Sequence, residues 1–284
     1  MGKIFSTLDE CKQAWEKAGG HGEKQDRIAR NIRWLAYYGY LAKKQENAEA
    51  YLNPVAEEAV EFLAAQQVLT TKSTVIDIGS GTGGYSLAFA KHCAYVTAMD
   101  MDEASLRVLT KNAKQLGINN ISTTEAMWEN YTDDKKYSVA FSSMCPAICN
   151  YQELLKMEAL AEESCCLVAV SRGSFDLHRK KLMELLAVKP VGGMTTEAIW
   201  YMNMLYLMGR NPGIKSRTDC YEYQLPIEEI CTRNEVYFEI FGIPASRSGP
   251  VLRKYFDGVA EKGMVSDESH LNTALIYWKP DDQR

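Results

Sequence analysis

The residues with the most chemical meaning surround one glycine-rich turn. Asp77 is followed by Gly79, Gly81, Gly83 and Gly84, with Ser80 and Thr82 between them. Glycines at this spacing let the backbone turn tightly and let a ligand approach with no Cβ in the way. Asp77 stands two residues before the first glycine. A carboxylate there can accept from an ammonium group and would repel a pyrophosphate. A second acid, Asp100, ends the apolar run Tyr95-Val96-Thr97-Ala98-Met99. An acid at the end of a second strand reads ribose hydroxyls. Met101 beside it can cover one face of an adenine. The chemistry on offer is recognition of a nucleoside that carries a cation.

The elements that must position these groups can be read next. Val75-Ile76-Asp77-Ile78 has the β-branched residues of a buried parallel strand, and Leu87-Ala88-Phe89-Ala90 opens a helix. Strand, glycine loop and helix form a nucleotide-type site at the carboxyl edge of an open α/β sheet. Further strands are expected at Ile121–Glu125, Tyr137–Ser142 and Cys165–Ser171. Helices are expected at Asp102–Leu116, ended by Gly117, and at Tyr151–Glu163 and Phe175–Leu186. This alternation predicts a doubly wound sheet. Beyond it come a strand candidate at Tyr221–Leu225, helical stretches at Ile227–Phe241 and Ser248–Gly263, and a β-rich run at Leu271–Trp278.

Gly79, Gly81 and Gly84 fit the dinucleotide pattern G-x-G-x-x-G literally, so a nicotinamide or flavin site is the first rival. The fuller set, Asp77-x-Gly79-x-Gly81-x-Gly83 followed by Asp100, resembles motifs I and II of the class I S-adenosylmethionine-dependent methyltransferases. The resemblance covers about residues 54–180, and the closing strands more loosely. It implies an α/β, Rossmann-like, seven-stranded and mostly parallel sheet with a C-terminal antiparallel hairpin and helices on both faces. It implies S-adenosylmethionine as cofactor, with Gly79, Ser80, Gly81, Thr82 and Gly83 under its methionine part. Asp77 would anchor the ammonium and Asp100 the ribose, with Met101 by the adenine. The family usually has an acid after strand three for the adenine amino group. Here Met127 stands in that place, so Met127 and Trp128 are the adenine candidates, Trp128 by stacking. After strand four, Ser142-Ser143-Met144-Cys145-Pro146 lacks the Asn/Asp-Pro-Pro-aromatic motif of base-modifying members. Ser143, Met144 and Cys145 would instead line the methyl-transfer pocket.

Three residues are candidates for a catalytic role: His178 as a general base after strand five, Cys145, and Tyr37. Cys145 and Cys149 lie four apart, a spacing to compare with arsenite-methylating relatives, although no other cysteine signature supports it and no metal is expected. His21, in the break Gly19-Gly20-His21-Gly22, could fold over a substrate. Residues 1–70 read as a helical N-terminal extension or lid, with Asn53-Pro54 starting its last helix. Residues 71–284 read as the core, with a helical insertion at about 187–220 over the active-site mouth. That insertion is rich in Trp200, Tyr201, Met202, Met204, Tyr206 and Met208, capped at Thr195 or Thr196 after a loop at Pro190, Gly192 and Gly193.

The expected function is methyl transfer to a small-molecule oxygen, nitrogen or sulfur. Protein or RNA side groups are the alternative acceptors, and a non-catalytic scaffold is the alternative from outside enzymes. Formal net charge is −5, which weighs against a nucleic-acid partner. Eight cysteines without C-x-x-C spacing, and no long apolar run, suit a cytoplasmic protein without a membrane span. The opening Met-Gly-Lys-Ile-Phe-Ser fits the myristoylation pattern, which is short enough to arise by chance. Dimerisation through the apolar insertion is left open by the sequence.

Overall fold

The run Thr74–Ile78 is strand β1, and every residue after Thr74 is buried because helices cover both sheet faces. The computed structural model describes residues 5–19, 24–45, 49–50, 52–172, 175–188 and 197–280. Beside β1 run β2 (Tyr95–Asp100), β3 (Ile121–Glu125), β4 (Tyr137–Ser143) and β5 (Ala161–Val170), all parallel. The strand order is β3-β2-β1-β4-β5-β8, where β8 (Met264–Trp278) is antiparallel to β5. β7 (Gly213–Pro226) pairs antiparallel along β8, and the two-residue β6 (Phe175–Asp176) pairs with its middle. Chain order reverses between β1 and β4, which opens a crevice at the carboxyl ends of those strands.

Adjacent residues along each strand go to opposite faces. Ile76, Ile78, Ala140, Cys165 and Ile276 enter one core, and Val75, Val139, Phe141, Cys166 and Leu275 enter the other. The first core is covered by α1 (Leu8–Gly19), α6 (Tyr151–Glu158) and α8 (Ala198–Leu207). The second is covered by α3 (Pro54–Ala65) and α4 (Gly84–Ala90). Asn53 caps α3 as its sequence implies, accepting from the Val55 N–H at 3.0 Å. Asp102 caps α5 (Glu103–Gln115) by accepting from the N–H groups of Ala104 and Ser105.

A third apolar cluster lies off the sheet. It joins Trp34 of α2 (Lys24–Gln45) and Leu182 of α7 (Arg179–Leu185) to Phe238 of α9 (Ile227–Glu239) and Leu252 and Phe256 of α10 (Ala245–Val259). Helix α2 is therefore anchored on the two helices that connect β7 to β8. The last two strands are antiparallel neighbours, but helices rather than a tight turn join them.

The expected helical insertion at 187–220 needs correction. Residues 189–196, including the loop glycines and the threonine caps, lie outside the described residues. The helical part, α8, ends at Leu207, and the strand begins at Gly213 rather than Tyr221. Helix α8 precedes β7 in the chain and packs on the sheet face with α1. Tyr201 meets Trp15 edge-on at 5.3 Å and donates from its hydroxyl to the Ile148 carbonyl. The early start of β7 has a physical reason. Its inner face is charged, with Lys215 bonded to Glu58 at 2.8 Å and Arg217 to Asp219 at 2.6 Å. Pairing with β8 makes it a strand, and no apolar alternation announces it.

Candidate functional site

The glycine loop is fastened to strand β2. The N–H groups of Gly79 and Ser80 both donate to the Met99 carbonyl, at 2.8 and 2.9 Å. The Gly81 N–H donates to Asp100 Oδ2 at 2.8 Å, and the Asp102 N–H donates to Oδ1 at 2.9 Å. Asp100 thus holds the loop in place and still has lone pairs for hydroxyl donors. Gly79 has φ +76°, and a Cβ there would stand 2.7 Å from Cys145 Sγ. No other residue type fits without moving the β4 loop.

Above this loop is a cavity of about 260 Å³. Its walls come from the ends of β1, β2 and β4, the 3-10 turn Trp128–Asn130, and one face of α2. Asn31 and Tyr38 both point into it, two helical turns apart. Three carboxylates line it, Asp77, Asp100 and Glu129, and among the described residues no Lys, Arg or His does. Burial pushes the Asp77 carboxyl up to about 7, opposed by its bond from Ser86 Oγ at 2.5 Å and assisted by the charge of Asp100. Burial likewise raises Asp100. Tyr38 is held well above the usual phenol range, first by burial and then by Cys145 and Asp100.

Five buried polar atoms of this wall have no hydrogen-bond partner among the described residues. They are Asn31 Oδ1, Asp77 Oδ1, Ser80 Oγ, Trp128 Nε1 and Glu129 Oε2. Buried polar groups are nearly always satisfied, so such a concentration marks a place where a polar ligand belongs.

Of the residues singled out in the sequence, Asp77, Gly79, Ser80, Gly81, Asp100, Met101, Trp128, Ser143, Met144 and Cys145 line this cavity. Thr82 and Gly83 are in the loop but outside the wall. Gly83 caps α4 with φ +91°. Met127 caps the 3-10 turn and does not line the cavity.

His178 and Tyr37 are elsewhere. Both His178 ring nitrogens are engaged, Nδ1 with the Tyr255 hydroxyl at 3.0 Å and Nε2 with the Ser266 carbonyl at 2.8 Å. Tyr37 packs edge-on against Trp34 and Tyr237. Cys145 is in the wall, but burial pushes its thiol up to about 12, so it is a neutral group at pH 7. Cys149 is buried outside the wall, and the described residues contain no group of side chains placed to hold a metal. His21 lies outside the described residues.

Sequence reasoning missed Asn31, Tyr85 and Glu129. Glu129 is an acid two residues beyond Met127, and the 3-10 turn swings it into the cavity. Asn31 could have been found from its place on the same helical face as Tyr38. Tyr85 follows the glycine loop and lines the cavity beside Ser143.

Comparison with known proteins agrees with this geometry. Residues 75–165 match the family model described as a methyltransferase domain. An uncharacterized protein of Haemophilus influenzae is 22% identical over 230 residues, 78% of this chain and 81% of that protein. A ubiquinone biosynthesis O-methyltransferase of Coxiella burnetii is 38% identical over 68 residues, 24% of this chain and 27% of that enzyme. This chain therefore aligns with about a quarter of that enzyme's length. The fold resembles magnesium protoporphyrin IX methyltransferase from Synechocystis with bound S-adenosylhomocysteine. The TM-score is 0.52 at 14% identity, covering 89% of this chain and 98% of that one. The matched stretch holds the glycine loop and both acids, Asp77 and Asp100, and it identifies residues 75–165 as a methyltransferase domain on a fold of the same kind.

Proposed function

We propose that the protein methylates a small molecule with S-adenosylmethionine, in the cavity between the glycine loop and α2. The observation that carries this reading is the walled cavity itself, with Asp77 Oδ1 and Ser80 Oγ left unpartnered beside the loop. The residues fit the cofactor. Asp77 would take the ammonium, Asp100 the ribose hydroxyls, and Met101 with Trp128 the adenine. When bound, the cofactor supplies a methyl group already activated on a sulfonium.

The chain's own part is alignment and exclusion of water. Tyr38, Trp128 and the neutral thiol of Cys145 give the cavity apolar walls. Tyr38 stays protonated and offers a hydroxyl rather than a phenolate. No histidine among the described residues lines the cavity, and the reading rests on proximity and exclusion of water. A walled cavity of this size suits a small molecule better than a polymer. Placement in the reducing cytoplasm is part of the proposal and is supported by eight free cysteines.

The test of acceptor class is transfer of labelled methyl to size-separated fractions of a cell extract. Label in the small-molecule fraction supports the reading. Label confined to protein or RNA overturns it.

The Asp77 carboxyl gives a pH prediction. Its value of about 7 refers to the free site. A bound ammonium favours the charged carboxylate, so binding must release the proton wherever Asp77 is protonated. S-adenosylhomocysteine affinity is expected to fall by up to about tenfold per unit as pH drops below 7, and to level off above it. Titrations in two buffers of different ionisation enthalpy read the released proton directly. Asp77→Asn should flatten the profile, and a profile already flat in the wild type would refute the assignment.

A further inference from the structure

We propose that the methyl acceptor is an amine, received by Glu129 with Asn31 as the positioning residue. This rests on the methyltransferase reading and goes beyond it by naming the acceptor class. Glu129 is buried, Oε1 accepts from Asn31 Nδ2 at 2.6 Å, and Oε2 has no partner among the described residues. The two residues are 98 positions apart, so the fold brings one face of α2 and the turn after β3 together at this point. The Glu129 charge acts on Cys145, whose sulfur lies against Gly79. It therefore faces the same wall as the loop that would carry the cofactor.

Charge balance narrows the ligand. Of three cavity carboxylates, Asp77 and Asp100 have counterparts in the cofactor's ammonium and ribose. Glu129 has none, and no cationic side chain among the described residues lines the cavity. Lys156 is close in the fold, but it bonds the Trp128 carbonyl, lies 4.3 Å from the centre of that ring and does not line the cavity. A buried carboxylate with one oxygen unpartnered and no cation beside it is costly, so a partner for Oε2 is expected to arrive with the ligand. An anionic acceptor would add a fourth negative charge. An amine supplies what is missing. The bound ammonium first gives a proton to the Glu129 carboxylate, and the nitrogen lone pair so freed forms the new N–C bond as the C–S bond breaks, which moves positive charge from sulfur to nitrogen. Glu129 then releases its proton to solvent, and the carboxylate pairs with the methylated ammonium.

The test uses three probes of one shape and three charges, benzylamine, benzyl alcohol and benzoate. Each is titrated into protein saturated with S-adenosylhomocysteine and read by ligand-observed NMR. Benzylamine is expected to bind at least about tenfold more tightly than benzoate, since a paired buried charge is worth that much or more. Glu129→Gln should erase the preference while S-adenosylhomocysteine affinity changes less than about threefold. Asn31→Ala should weaken the preference and leave the cofactor affinity alone. Thermal melting checks that both variants fold. No benzylamine binding, no charge preference, or a preference unchanged in Glu129→Gln overturns the proposal. So does a Glu129→Gln variant that loses S-adenosylhomocysteine, because the carboxylate would then serve the cofactor. Failure of the wild type to bind S-adenosylhomocysteine would instead sink the methyltransferase reading.

Discussion

Asp100→Ala is expected to weaken S-adenosylhomocysteine binding by about 100-fold or more. The carboxylate does two jobs at once. It accepts the N–H groups of Gly81 and Asp102 at 2.8 and 2.9 Å, which sets the shape of the loop. It also offers its remaining lone pairs where a ribose would lie. Hydrogen bonds to a charged group contribute about 1.5–3 kcal/mol each, and a stranded buried donor costs a similar amount. Even one such loss in the bound state gives tenfold to 100-fold in affinity. Asp100→Asn should be intermediate, because its amide keeps one acceptor and turns a donor toward the other N–H. Calorimetric titration at pH 7.5 decides the matter. An affinity within threefold of wild type for Asp100→Ala would mean that the ligand does not use this carboxylate.

Glu158→Ala should be strongly destabilising, although Glu158 does not line the cavity. Glu158 is buried at the end of α6. Both oxygens pair with Arg210, from Nε and Nη2 at 3.0 Å each, and Oε1 also accepts from Trp278 Nε1 at 2.7 Å. This one side chain ties α6, the turn after α8 and the end of β8 together. Breaking a buried pair by removing one partner costs about 3–5 kcal/mol, because the other charge stays buried. For a chain of this size that is a fall in melting temperature of roughly 10 °C. Differential scanning calorimetry reads it. A shift under 3 °C would show that water or rearrangement compensates Arg210. Cofactor affinity measured below the transition should be almost unchanged.

The parts of this protein that were legible in its sequence are those set by local backbone demands. The β-branched run of β1, the glycines with positive φ, the Asn53-Pro54 cap and the acid ending β2 each announce themselves within a few residues. What was not legible depended on what an element packs against. Helix α8 is apolar around its whole circumference, and such a helix suits a sheet face as well as a lid. Its sequence does not choose between them. Strand β7 has Lys215, Arg217 and Asp219 on its inner face, so a search for apolar alternation passes over it. His178 follows β5 in the sequence but is turned into a network with Tyr255 and Ser266, and no local pattern encodes those distant partners. Asn31 and Glu129 are ordinary polar residues until the fold joins them. The half of the cavity proposed for the cofactor was therefore readable, since the glycine loop and the acid ending β2 each carry a local signature, and the half proposed for the acceptor was not, because Asn31 and Glu129 come from separated segments that carry none.

The account stands or falls on the ligand of the glycine loop. The first measurement is calorimetric titration of the purified protein with S-adenosylmethionine and S-adenosylhomocysteine, with NADH as control. Saturable one-to-one binding of both sulfur compounds and none of NADH is the expected result. Binding of NADH, or of neither sulfur compound, would contradict the assignment of Asp77 and Asp100 and with it the proposed methyl transfer.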